Sequence, residues 1–589
     1  MTGARIPTAG AFAVFALIAV VQAVWWLGHD TIVFADGDSF LRLIRVERLV
    51  ETGDWFDVLI PRANAPYGFE LHWTRPLDCL IILLALPAVP FLGWHGAILF
   101  AGEWIGPALH VATAAVMLWA LVPLLGRVGA CIAAGLTATQ IAFLSFAVVG
   151  RADHHLLFAL LLVAVIGCLI RAYEHNWPMQ ASRAGLALAA GVWVGPEFLL
   201  FAGIVVAVTG LRWLAGRPAA VELNRGLSIG FAVGLAGALL IERGGGVLEI
   251  EYDRLSLFHV AVGAMVAGFW AVVQGAGAHS RTGLAGRLAA AAAGAGVMAA
   301  VVVIVFPGAL GYPFVEVDPA FLHVQQFIKD YEGVNSLRDV LLFLGPVAFA
   351  LPWAVFRTFG RTHQWTWLVL AVSLVVYTVL SVVWLRWSLY PTVLAVIVLA
   401  DVLLKTDAWV SARMAFPQRT LVKVPVILFI VLGPVAIAMA AKETEPVDEV
   451  SCPVKDLSAW LADLPAPATI AAPANFGPEI LYRTGHRVLA TLSHRNEAGV
   501  LDGYRLMVGD DLAAAAKIVA DRHIEYIVAC PDAGAESYIR ASLVPGSLYT
   551  QLLAGNTPDG IEPVMLPADL ARHFRVYRVD PDMMGGRAS

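Results

Sequence analysis

Charge is what this sequence has least of: 14% of its 589 residues are Asp, Glu, Lys or Arg, against about 25% in an average soluble domain. With 59% hydrophobic residues beside that shortage, a water-soluble globule is excluded. Cysteine is scarce too. Cys79, Cys131, Cys168, Cys452 and Cys530 are the five, none at CxxC spacing, which argues against a cysteine-ligated zinc site. There is no solenoid repeat and no evident nucleotide-sugar fold. The net charge of −6 is small, and no nucleic-acid partner is expected.

What is present is a series of apolar runs approaching the roughly 20 residues that a spanning helix needs. They fall near 11–28, 77–93, 103–125, 128–149, 154–171, 184–197, 198–214, 226–242, 257–277, 286–307, 339–356, 364–381, 388–404 and 423–440. The first ends in Val24-Trp-Trp-Leu27 with no small-residue cleavage pattern, so it reads as a retained anchor. The Ala/Gly-rich stretch Ala289 to Ala300 suits close helix packing in a membrane.

Basic residues collect in cytoplasmic loops, and that rule decides which runs cross. If every run crossed, Arg127 and each later basic group would face outward. If 77–93 dips in without crossing, Arg127, Arg171 with Arg183, Arg212 to Arg225, Arg281 with Arg287, Arg357 with Arg361, and Lys405 to Lys423 all fall inside. The acidic groups then fall outside. Pro87 and Pro90 interrupt 77–93, which supports that reading. The expectation is a mainly α, polytopic membrane protein with about 13 spans, its amino terminus cytoplasmic. Residues 1–440 form the membrane domain, with outer loops 29–102 and 307–338.

Residues 441–589 are more polar and read as a small α/β domain on the outer face. Ala468 to Ala472 and Ile524 to Ala529 look like buried strands, with an amphipathic helix over Leu512 to Arg522 before the second. The outer compartment is oxidising, so Cys452 and Cys530 are candidates for a disulfide. Spacing alone leaves that open.

The chemistry concentrates in two acidic clusters: Phe34-Ala-Asp-Gly-Asp-Ser-Phe-Leu-Arg42, and Gly150-Arg-Ala-Asp-His-His155. Charge at a membrane edge is cheap only beside water, a metal or a partner charge. In an extended stretch Asp153 and His155 face one point, and Asp36 adds a second carboxylate. Such a donor set suits a divalent ion, Mg2+ or Mn2+. Arg42, Arg45 and Arg48 stand at helical spacing, either as a solvated face or for phosphate recognition. Glu332 and Glu316 compete as a further carboxylate. Arg386, at the outer end of a span, breaks the positive-inside pattern and calls for an anionic partner.

These residues resemble the catalytic subunits of oligosaccharyltransferases, within the GT-C superfamily of membrane glycosyltransferases. In that family an Asp in the first outer loop is followed six residues later by an Arg, as Asp36 is by Arg42. Archaeal members continue with a Pro-Tyr-Gly, His-Trp-Pro-Pro and Asp stretch, matched by Pro66-Tyr-Gly68, His72-Trp73, Pro76 and Asp78. Their second outer loop carries Gly-x-x-Asp-His-His, matched by Gly150 to His155. The resemblance covers roughly residues 1–440. It implies Asp36, Asp153 and His155 as metal ligands, and Asp36, Asp153 and Glu332 as catalytic residues. It further implies Arg42, Arg45, His72 and Arg386 as donor-phosphate or acceptor contacts. The family's carboxyl-terminal Trp-Trp-Asp motif is absent, which separates the acceptor from the asparagine sequon.

The resemblance implies metal-dependent transfer of a sugar or glycan from a polyprenyl-(di)phosphate donor. The acceptor is a glycan, a lipid or a protein on the outer face of a bacterial cytoplasmic membrane. One alternative is a GT-C enzyme moving a monosaccharide to a lipid or polysaccharide. Another is a flippase or transporter for lipid-linked sugars, for which charges within the spans and repeated halves are the expected marks.

Overall fold

The computed structural model describes residues 8–28, 34, 36–276, 283–311, 318–325, 333–440, 452–531, 539 and 544–580. Among them, 12 helices are long and apolar enough to cross a membrane, from Thr8–Leu27 to Gln418–Ala440. Helix Pro178–Val194 adds a thirteenth at 17 residues, the lower limit for spanning. Its packing is that of a membrane helix. A Cβ on Gly185 would meet the Leu227 carbonyl oxygen at 2.0 Å, and one on Gly230 would meet that of Ser182 at 2.1 Å. Only glycines let this helix and Ala220–Arg243 approach so closely. The chain is a multi-pass membrane protein.

The run 77–93 does not cross. Its helix, Arg75–Ala85, has 11 residues, a rise of about 16 Å against a hydrocarbon core of about 30 Å. The following helix, Val89–Ala120, is broken at Gly93, whose φ is 67°. The run 128–149 is interrupted as well. Its helix stops at Leu136, and a short helix, Ile141–Ala147, follows after a 3-10 turn.

The loop joining the first two spans contains regular structure that its polarity hid. Helix Gly37–Thr52 starts where Asp36 caps the Ser39 N–H, and it stops at Gly53 in the left-handed region. Strands β1 (Leu59–Ile60) and β2 (Phe69–Glu70) pair antiparallel.

The carboxyl-terminal region forms a five-stranded sheet from β3 (Thr469–Ala471), β4 (Arg487–Val488), β5 (Tyr526–Ala529), β6 (Ile561–Pro563) and β7 (Arg575–Val579). The order is β4-β3-β5-β7-β6. β3 runs parallel to β4 and β5, while β7 is antiparallel to β5 and β6. Both expected strands form, and the expected helix Leu512–Arg522 precedes β5. Cys452 and Cys530 are disulfide-bonded.

This sheet shares a core with the first loop. Leu41, Phe69 and Leu71 pack with Ile470, Ile480 and Val528. Arg62 donates hydrogen bonds to the carbonyls of Leu481, Thr484 and His486. The first loop is therefore a platform between sheet and bundle.

Acidic side chains gather at one end of the bundle, where Arg42, Arg45, Arg75 and Arg151 pair with them. That end holds the first loop, Gly150–His155, Glu197, Glu242 and Asp253. At the other, Arg171 donates to the Trp119 carbonyl and Arg212 to the Asn176 side chain.

Candidate active site

Four segments build the site. Asp36, at the start of helix Gly37–Thr52, accepts from the Ser39 N–H at 2.9 Å and the Ser39 hydroxyl at 2.6 Å. Ser39 Oγ in turn accepts from the Ala152 N–H at 3.0 Å. The second loop reaches this point through Gly150, whose φ of 88° is strained for any other L-residue, and whose N–H is held by the Glu103 carbonyl at 2.9 Å.

Arg151 Nε lies 3.2 Å from Asp36 Oδ2, and Arg151 Nη2 lies 3.5 Å from Asp153 Oδ2. One guanidinium thus stands against both carboxylates and offsets their repulsion. Asp153 Oδ1 is 3.1 Å from His154 Nδ1, and His154 Nε2 is 3.5 Å from Glu197 Oε1. His155 Nδ1 bonds Tyr390 OH at 2.8 Å, leaving Nε2 4.0 Å from Asp153 Oδ2. Arg386 lies close enough for its charge to act on Glu197 and His155.

Burial raises the Asp153 carboxyl, but His155, His154 and Arg151 outweigh it and hold the group well below the usual carboxylate range. For His154, burial opposes the charge, while Asp153 and Glu197 push the imidazole up to about 9.

The residues fit a divalent ion. Asp153, His154 and His155 offer ligand atoms within 4.8 Å of one another. Asp36 stands outside that group and joins it through Arg151. One carboxylate oxygen with imidazole nitrogens suits a borderline ion such as Mn2+ or Zn2+. The Tyr390 bond leaves His155 Nε2 as the ligating atom, the usual division of labour on a metal-bound histidine.

Asp153 and His155 converge by a different backbone from the expected one. The stretch is not extended: His154 has helical φ/ψ of −80° and −15° and opens helix His155–His175. The turn aims both side chains at one point because the chain is entering a helix.

Arg42 and Arg45 are both buried, so neither is on a solvated face. Arg42 Nη1 donates to Asp78 Oδ1 at 3.0 Å, Arg45 Nε to Asp78 Oδ2 at 2.7 Å, and Arg75 Nη1 to Asp78 Oδ2 at 3.2 Å. Burial raises the Asp78 carboxyl, but Arg45, Arg42 and Arg75 bring it below its usual range. Arg48 pairs instead with Asp57.

His72 lies beside His494, ring centroids 4.4 Å apart and the planes tilted by 55°. Glu332 and its competitor Glu316 lie outside the described residues. Sequence reasoning passed over Arg151, His154, Glu197 and Tyr390 as participants. Arg151 and His154 stood inside the singled-out cluster, and Glu197 was among the outer acidic groups. Tyr390 carried no signal, lying on a late span.

No protein-family model and no curated protein matches the sequence. Solved structures do. The Archaeoglobus fulgidus oligosaccharyltransferase AglB, in complex with an inhibitory peptide and a dolichol-phosphate, superposes with a TM-score of 0.71. It is 15% identical, over 94% of this chain and 72% of that one. The chain has the GT-C fold of the archaeal oligosaccharyltransferases. The apo form of the A. fulgidus enzyme gives a TM-score of 0.71 at 14% identity, covering 95% of this chain and 80% of that one. Its complex with Zn and sulfate gives 0.64 at 14% identity, covering 92% and 70%. The GT-C fold therefore extends past residue 440 into the sheet region, farther than the motifs reached.

Proposed function

We propose that this chain is a membrane glycosyltransferase using a polyprenyl-(di)phosphate sugar donor and a divalent ion. The observation that carries the reading is that Asp153 with His155 on one loop meets Asp36 on another at one end of the bundle, with Arg151 against both carboxylates. Related folds support the substrate class: A. fulgidus AglB is seen with dolichol-phosphate, and that oligosaccharyltransferase also with a tethered acceptor peptide containing the NVT sequon.

In this reading the anomeric carbon leaves the donor phosphate oxygen and bonds to a nucleophilic atom of the acceptor. The phosphate departs with the electron pair, and the acceptor's proton passes to Asp36. The divalent ion, when bound by Asp36, Asp153 and His155, supplies charge stabilisation to the leaving phosphate. Arg386 adds cationic charge on the same side. Tyr390 orients His155, and His154, lying between Asp153 and Glu197, holds both carboxylates in place. Arg42 and Arg45 are committed to Asp78, so they keep the first loop at its angle and leave the phosphate to other cations. Glu332 remains a candidate carboxylate on the outer loop.

The absence of Trp-Trp-Asp favours a lipid, polysaccharide or non-sequon protein acceptor. The Cys452–Cys530 disulfide supports an oxidising compartment for the sheet region, in keeping with a cytoplasmic amino terminus. The charges gathered at one rim of the bundle favour transfer over transport.

The test is turnover of a labelled polyprenyl-linked sugar by purified protein with Mn2+. Asp36→Ala and Asp153→Ala are each expected to abolish it. Undiminished metal-dependent turnover in both would sink the assignment, and vesicle transport without transfer would point to a flippase.

A further inference from the structure

We propose that His72, Asp253 and His494 form a second divalent-cation site, of the zinc class, separate from the Asp36–Asp153–His155 site. Three segments far apart in sequence supply it: the first loop, the loop after helix Ala220–Arg243, and the carboxyl-terminal region. Their ligand atoms lie within 4.8 Å of one another. His494 Nε2 is 2.9 Å from Asp253 Oδ2, and the two imidazole rings stand 4.4 Å apart.

An independent observation points to a missing ligand. Among the described residues, His72 Nδ1 is buried with no hydrogen-bond partner. A buried ring nitrogen left without a partner is destabilising, and a metal ion bonded there removes the cost. Two imidazoles and one carboxylate are a common three-ligand set for Zn2+.

Arg495 competes for Asp253. Its Nε and Nη2 each lie 2.7 Å from an Asp253 oxygen. Glu251, 3.2 Å from the same Nη2, keeps the guanidinium paired when Asp253 turns one lone pair to the ion. One ligand, His494, lines an open cleft of about 730 Å³ together with Arg495, Glu70, Asp318 and Glu497, and the site is reached from that side. A bound ion clips the sheet region to the bundle. The proposal does not rest on the transferase reading.

Zinc content is measured on the full chain, loaded with Zn2+ alone and dialysed against zinc-free buffer. In an Asp153→Ala background, which removes the first site, one equivalent of zinc is expected to remain; none remaining overturns the proposal. On that background, His494→Ala and His72→Ala are each expected to lose the equivalent, and His494→Cys to restore it, since a thiolate ligates zinc. Unchanged zinc in both alanine variants also overturns it.

Discussion

The Ser39 hydroxyl accepts a hydrogen bond from the Ala152 N–H at 3.0 Å. The same hydroxyl donates to the Asp36 carboxylate at 2.6 Å, so one small side chain sets the spacing of the two acidic loops. Ser39→Ala loses both bonds, about 1 kcal/mol each. If that energy is expressed in loop positioning, turnover falls by about thirtyfold. Steady-state turnover with a labelled donor measures it, and a wild-type rate would show that Arg151 alone holds the loops together.

Tyr390→Phe keeps the ring and removes only the bond to His155 Nδ1. Without that partner His155 is free to swap tautomers, and divalent-ion affinity is expected to drop by about 10- to 100-fold. Titration with Mn2+ followed by electron paramagnetic resonance reads the change. Equal affinity would exclude His155 as a ligand.

Asp78→Asn leaves Arg42, Arg45 and Arg75 without their carboxylate. Breaking a buried ion pair from one side costs about 3–5 kcal/mol. The pH dependence follows from the same group. Its folded value is depressed, so its stabilisation is complete above the unfolded carboxylate value of about 3.9. It is lost as pH falls through the lower folded value. Thermal unfolding in detergent should show the wild-type advantage over Asp78→Asn at neutral pH and its decline below pH of about 4. A gap independent of pH would contradict the charge account.

The Cys452–Cys530 disulfide closes a loop with a sequence separation of 78, worth about 4 kcal/mol on the chain-entropy account. The double Cys→Ala variant is expected to speed proteolysis within residues 452–580 while leaving the bundle resistant. No change in cleavage rate would mean that the shared core with the first loop suffices.

For topology, Arg127→Cys on a cysteine-depleted chain should resist a membrane-impermeant maleimide applied from outside. Labelling from outside would break the proposed orientation, because residue 127 lies among the basic turns at the end of the bundle away from the site.

Several elements were legible locally. Helix Leu512–Arg522 shows amphipathic periodicity, and the strand after it is a short apolar run, so each declares itself within a dozen residues. The non-spanning run 77–93 could be read from Pro87, Pro90 and the charge rule together. The acidic clusters announced themselves by being charged beside lipid. Their pairing was not legible to the same degree. Asp153 and His155 come together through a helical turn and not an extended stretch, and nothing nearby says that His154 already has helical φ/ψ. Arg42 and Arg45 were visible as one helix face, but their partner Asp78 lies across a loop. Asp253 and His494 have no motif spacing at all.

By itself the sequence determined the class of the molecule. Long apolar runs in a charge-poor chain must become helices in a bilayer, because lipid offers backbone polar groups no other partners. Only the tertiary structure decided which carboxylates share a site and which arginines are already neutralised. Those outcomes depend on distances of a few ångströms between segments far apart in the chain, where charge pairing rises steeply in low dielectric, and no local pattern records such distances.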